Sequence, residues 1–318
     1  MPRTDRRAFL QQAASLTFGC VAGAVAAAPL ESVMLPIVDT HQHLWDLSRF
    51  RLPWLKQDDV LYRSYVLSDY AEATVGLNVV KTVYMEVDVA PEQQTEEAEH
   101  VIGLCQRADS PMAAAVIGGR PASDEFPKYI GRFKDSPYIK GVRQVLHVDG
   151  TPPGYCLDAK FINGVRLLGE LGKSFDLCMR AKDLPDAAKL IDACPGTRFI
   201  LDHCGNADAQ AKDRSQWQKD MREIARRQNV VCKVSGIVAS AAPGKWKADD
   251  LAPIINLTLA VFGPDRVMFG GDWPVCTKAA TYRQWVEALE EVVSERQEED
   301  QHKLFYGNAV RFYGLTED

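Results

Sequence analysis

The chain has no Cys-x-x-Cys pair, which excludes a zinc ribbon and a thioredoxin-like redox motif. Its eight cysteines do not read as a disulfide framework. Cys178, Cys232 and Cys276 sit in or beside apolar, strand-like runs, where cysteine acts as a small hydrophobe. No stretch gathers basic residues into a patch, and the net charge is -6, from 37 basic against 43 acidic residues. Nucleic acid is therefore not an expected partner. Beyond residue 35 there is no low-complexity linker. A Gly-rich turn after the first strand-like run is also missing. That position reads His41-Gln42-His43-Leu44-Trp45, which argues against a doubly wound, nucleotide-binding sheet.

A membrane-spanning run is lacking as well. The apolar, Ala-rich stretch 13–28 is short for a span. It follows Thr4-Asp5-Arg6-Arg7-Ala8-Phe9-Leu10, which resembles a twin-arginine export signal, and Val25-Ala26-Ala27-Ala28-Pro29 offers small residues for cleavage. Thr17-Phe18-Gly19 before Cys20 makes a poor lipidation box. The expectation is an export signal and short linker over 1–33 and one domain over 34–318. Such a protein passes through the twin-arginine machinery and works outside the cytoplasm, periplasmic or otherwise extracytoplasmic. It has no stable membrane insertion once the signal is removed.

What is present is alternation. Strand-like runs at 37–41, 79–87, 112–118, 139–146, 175–180, 198–203, 230–237 and 266–271 are separated by polar, amphipathic segments such as 92–107, 161–171, 184–193, 216–227 and 251–262. Strands alternating with helices imply βαβ units and a parallel sheet. Eight units predict an α/β protein, a (β/α)8 TIM barrel. At 46% hydrophobic and 25% charged residues the composition is that of an ordinary globular chain with a full core. The non-periodic stretches 44–66 and 148–158 follow strands one and four and are expected over the barrel mouth. The segment 305–312 is expected to pack a final helix, with Asn308 as N-cap.

Chemistry in such barrels sits at the C-terminal strand ends, so those ends can be read in order. They carry His41 and His43, Glu86 and Asp88, Arg143 with His147 just beyond, Arg180, Asp202 and His203, Lys233 and Ser235, and Asp272. Four of the six histidines fall in this set. A strand that ends in His-x-His sets both imidazoles on one face. Two His and an Asp at neighbouring strand ends suit a divalent metal or an acid/base site. Asp272 can be a general base toward water or a ligand, and His203 can ligate or move a proton. Arg143 and Arg180 can hold a carboxylate, hydroxyl or oxyanion. Lys233 can neutralise carboxylates in the mouth. Trp45, Trp54 and Tyr62 can form an apolar wall for a sugar-sized ring.

These pieces carry a resemblance. Asp39-Thr40-His41-Gln42-His43-Leu44-Trp45-Asp46, Gly141-Val142-Arg143-Gln144, Leu201-Asp202-His203-Cys204-Gly205 and Phe269-Gly270-Gly271-Asp272-Trp273-Pro274 resemble the amidohydrolase superfamily. The similarity is to its type 2 group of sugar-lactone lactonases, of the L-fucono- and L-rhamnonolactonase kind, with 2-pyrone-4,6-dicarboxylate lactonase as a relative. The resemblance implies a distorted barrel and a hydrolase of carbohydrate metabolism that opens a small cyclic ester. Asp272 and His203 would be catalytic. Arg143 would contact the substrate, and the strand-end and loop positions of Trp54, His147 and Arg180 make them further candidates for substrate binding. His41, His43 and Asp272 would hold one divalent ion, zinc or manganese, with metal-independent catalysis as the alternative; Glu86, which stands where the sugar lactonases carry a neutral residue, is a further candidate metal ligand or a partner for a substrate hydroxyl. Arg143 stands where two-metal members carry a bridging lysine, so a dinuclear site is not expected. Two other readings stay open: a decarboxylase of a small unsaturated or aromatic acid, and a secreted barrel that only binds a saccharide.

Overall fold

Eight parallel strands follow one another around a single sheet in chain order. They are β1 (Ile37–Gln42), β2 (Val79–Met85), β3 (Met112–Gly118), β4 (Ile139–Val145), β5 (Ser174–Cys178), β6 (Arg198–Leu201), β7 (Val230–Val234) and β8 (Val267–Phe269). The computed structural model describes residues 34–317; the twin-arginine segment expected over 1–33 lies outside the described residues. The ring nearly closes just past β8, where Asp272 N donates to His41 O and His43 N to Trp273 O, both at 2.8 Å. All eight expected strands form; β1 runs one residue past its sequence-read end, to Gln42, and the other seven end at or short of theirs, because the last polar residues turn into loops.

Both faces of the sheet are covered, which is why its strands read as near-continuous apolar runs. Outward residues such as Ile37, Tyr84, Ile117 and Phe175 join the layer beneath the helices. Inward residues Val38, Val83, Val116, Ile200 and Met268 form a second cluster, plugged from below by Val310 and Tyr313. Above that apolar layer the inward positions turn charged: Arg143, Asp176, Asp202 and Lys233 are all buried. The barrel thus has a greasy floor and a polar upper half that opens at the strand ends.

The expected helical segments appear as Gln94–Cys105, Ala159–Glu170, Leu184–Ala193, Ser215–Ala225 and Ala248–Phe262. Short helices at Leu67–Ala73 and Phe126–Gly131 escape a periodicity reading because neither completes two turns. Asn308 corrects an expectation. It has helical backbone angles inside a continuous C-terminal turn and caps nothing. Its amide instead donates to Pro264 O and Val267 O, each at 2.7 Å, and so ties the last helix to the base of β8. Over the mouth, the loop after β1 is closed on itself by reciprocal Trp45–Tyr65 main-chain bonds of 2.8 Å.

Candidate active site

The site is built around the seam between the first and last strands. Asp39 is fully buried and acts as the joint. Its Oδ1 accepts from His41 N at 2.9 Å and from Gly271 N at 2.7 Å. Its Oδ2 accepts from the Tyr70 and Tyr282 hydroxyls at 2.8 and 3.1 Å. Four donors on one carboxylate fix the backbone that carries both His41 and Asp272. The two glycines before Asp272 permit this closeness. A Cβ at Gly271 would lie 2.5 Å from Asp39 Oδ2, and one at Gly270 would lie 2.8 Å from His41 Cβ.

His41 and His43 do share one face, with ring centroids 4.9 Å apart. His43 Nδ1 lies 2.9 Å from Met85 O. A carbonyl only accepts, so Nδ1 carries the hydrogen and Nε2 presents a lone pair. That Nε2 is 3.4 Å from Asp272 Oδ1, and His41 Nε2 is 3.8 Å from the same oxygen. Lone pairs that face a carboxylate oxygen need a cation or a proton between them. The donor atoms of His41, His43 and Asp272 all lie within 4.8 Å of one another. A backbone carbonyl that orients the distal nitrogen is the usual support of a ligating histidine. This set therefore fits one divalent ion.

His41, Asp202 and His203 form a second such group, but its charge is already balanced. Asp202 has Lys233 Nζ at 3.3 Å and Arg143 Nη1 at 3.7 Å. Burial raises the Asp202 pKa, yet Lys233 and His41 more than offset it and hold the carboxyl well below the usual carboxylate range. Lys233 also pairs with Asp176 at 2.7 Å, as expected of a neutralising lysine. Burial holds His41 well below the ordinary imidazole value, and Asp202 beside it does not restore it. Burial likewise lowers His203, against the pull of Asp272 and Asp202.

His203 reaches the site through a short, tight turn. Its ring stands 4.4 Å from that of His41, and its Nδ1 meets Ser235 Oγ at 2.9 Å. Gly236 lies beneath it with φ at +65°, and a Cβ there would fall 2.2 Å from Nδ1. The strand-seven end is thus cut to fit the histidine of strand six.

A cavity of about 390 Å³ opens above these groups, within the range of small-ligand pockets. Asp272, His43, His203, Arg143, His147 and Trp54 all line it. Trp54 is held edge-on to Trp45 at 5.8 Å, and its Nε1 donates to Val87 O at 2.7 Å. Arg143 Nη1 lies 3.3 Å from His41 Nε2 and shares its lone pair only while no cation takes that place, so one arm of its fork faces the reacting groups.

Three expectations need correction. Glu86 does not join the metal group. Its Oε1 accepts from Arg143 Nε and its Oε2 from Asp88 N, each at 2.7 Å, so it serves to hold Arg143. Arg180 is absent from the cavity wall. It pairs with Asp183 and donates to Val148 O and Thr151 O, which ties down the loop after β4. Tyr62 is 44% exposed, and Leu61 lines the cavity in its place. Sequence reasoning named Asp202 at its strand end without giving it a role. The signal was there: a carboxylate directly before a candidate histidine.

The sequence matches the amidohydrolase family over residues 38–315. An L-fucono-1,5-lactonase of Burkholderia multivorans is 28% identical over 295 residues, which cover 88% of this chain and 96% of that one. An L-rhamnono-gamma-lactonase of Scheffersomyces stipitis is 21% identical over 334 residues, covering 88% and 98%. Among solved structures, an amidohydrolase from Burkholderia multivorans with bound zinc superposes with a TM-score of 0.79 at 26% identity, over 88% of this chain and 100% of that chain.

Proposed function

Because this chain belongs to the amidohydrolase family across residues 38–315, we propose that it is an ester hydrolase that opens a small sugar lactone at its barrel mouth. One observation carries the reading: a single carboxylate, Asp272, faces two imidazole nitrogens at 3.4 and 3.8 Å on the floor of a ligand-sized cavity. The lactonase names of its relatives support the ester substrate.

Water held against Asp272 gives up a proton to the carboxylate as its oxygen bonds to the lactone carbonyl carbon. The ring C–O bond then breaks, and the ring oxygen takes the proton back as a hydroxyl. The product is an open hydroxy acid, which releases a proton at neutral pH. Arg143 presents its Nη1 face to the developing oxyanion. Trp54 and Trp45 shelter the apolar face of the ring. His41, His43 and Asp272 would hold a zinc or manganese ion, which when bound supplies Lewis-acid polarisation of the carbonyl. The resemblance of the segment around Arg6 and Arg7 to a twin-arginine signal favours action on lactones outside the cytoplasm.

The test is proton release by the purified protein against a panel of five- and six-membered sugar lactones. It is run after chelation and again with added zinc or manganese. Rapid ring opening of any member is the expected result, and the metal dependence reports whether His41 and His43 act as ligands. Silence across the panel in every condition overturns the reading. Release of carbon dioxide from small unsaturated acids would then identify a decarboxylase.

A further inference from the structure

Cys178 closes β5 below the cavity, fully buried. Its sulfur lies 3.1 Å from His147 Nδ1 and 3.9 Å from Arg143 Nη1. The chemistry set out above uses neither Cys178 nor His147, yet His147 lines the same cavity as Asp272 and His203.

One arrangement of hydrogens lets the thiol both accept and donate. Arg143 has no lone pair, so it donates to the sulfur. Burial pushes the Cys178 thiol up, so the sulfur keeps its own hydrogen. With Arg143 donating on one side, that hydrogen is free to point at His147 Nδ1, 3.1 Å away. Nδ1 is then an acceptor, and the ring hydrogen resides on Nε2. His147 is exposed on its outer side; desolvation of its inner side, with His203 and Arg143 nearby, lowers the imidazole below its ordinary value, so the ring is neutral at neutral pH. A neutral imidazole with Nδ1 occupied offers a ligand one group, the Nε2 N–H. Among the described residues His147 has no other hydrogen-bond partner, so without the thiol nothing would select the tautomer.

We infer that Cys178 is a positioning residue that fixes His147 in its Nε2–H form, and that His147 in this form donates to a ring hydroxyl oxygen of the substrate. The inference rests on the lactone reading and narrows it. The preferred substrate is a polyhydroxylated lactone, and its hydroxyls are read on the β4–β5 side of the mouth, apart from the Asp272 seam. A site built to donate to a hydroxyl discriminates against the analogue that lacks it.

Two measurements on the full chain test this. In ¹⁵N-histidine NMR, wild-type His147 is expected to show a bare Nδ1 and a protonated Nε2. Cys178→Ala should give a tautomer mixture, and Cys178→Ser, whose hydroxyl also donates, should restore the single form. In kinetics, the ratio of kcat/KM for a hydroxylated lactone over its deoxy analogue of equal ring size should fall about tenfold or more in His147→Phe and in Cys178→Ala. That fall should come through KM, and Cys178→Ser should recover it. Protonated Nδ1 in the wild type, an unchanged ratio in His147→Phe, or a serine variant no better than alanine overturns the inference. Should the wild type open no lactone at all, the proposed reaction falls, and the nitrogen shifts alone decide the Cys178–His147 lock.

Discussion

Asp272 and His203 both stand at positive φ, 53° and 54°, where a residue with a Cβ pays in strain. Each is over-determined by its neighbours: Asp272 by the main-chain bond from its N to His41 O, His203 by Ser235. Asp272→Asn retains that shape and removes the proposed base. We expect kcat to fall about a thousandfold, with the melting temperature equal to or above that of the wild type, since strained catalytic groups are commonly held at the expense of stability. Steady-state kinetics paired with a thermal melt checks both halves. At this scale the sequence was a good guide to His41, His43, His203 and Asp272, because strand-end position decides where a Cα lies. It misled at Glu86 and Arg180, because long side chains choose their own partners: one turned to Arg143, the other to Asp183.

At the scale of elements, the strand ends are fitted to one another in pairs. β1 meets β8 through Asp39 and the two glycines, and the β6 turn meets the β7 end through Gly236. Gly236→Ala introduces a Cβ 2.2 Å from His203 Nδ1 at a φ of +65°. The turn must shift, and the imidazole with it. We expect kcat/KM to drop about a hundredfold, since small misplacements of a catalytic group are costly, with only a modest loss of stability by denaturant titration. The eight strands were legible because each is a short β-branched or apolar run bounded by polar residues. The helices at Leu67–Ala73 and Phe126–Gly131 were not, because segments this short lack a repeating face. Asn308 was legible as important but not in its role, since its partners Pro264 and Val267 are brought near only by the fold.

The whole molecule buries an unusual set of acids. Glu97 is pushed up to about 8 by burial and by Glu86. Asp176 is pushed up to about 7 by burial and by Asp202, against the pull of Lys233. The folded chain therefore keeps protons that the unfolded chain has released above the ordinary values of 4.5 and 3.8. Stability contributed this way is lost as pH rises toward 7 and 8. His41, His147 and His203 are lowered from 6.5 and act oppositely, favouring the fold as pH rises to that value. Above 6.5 the acids act alone. Urea unfolding in chelator should show stability falling from pH 6.5 to 8, and Glu97→Gln should reduce that fall by on the order of 1–2 kcal/mol. An equal fall in the variant would show that Glu97 is not its source.

The Asp39–Gly271 bond spans 232 positions. A ribosome delivers β1 early, with both of its histidines, but the carboxylate opposite them is among the last parts of the barrel to emerge. Neighbouring strands can pair as they appear, yet the pocket lacks Asp272, the proposed base, until β8 slides in beside β1. On the proposed mechanism a nascent chain is chemically silent however much of the barrel has formed. Loss of residues from 267 onward should abolish turnover outright rather than weaken it, so catalytic competence doubles as a signal that synthesis of the barrel is finished.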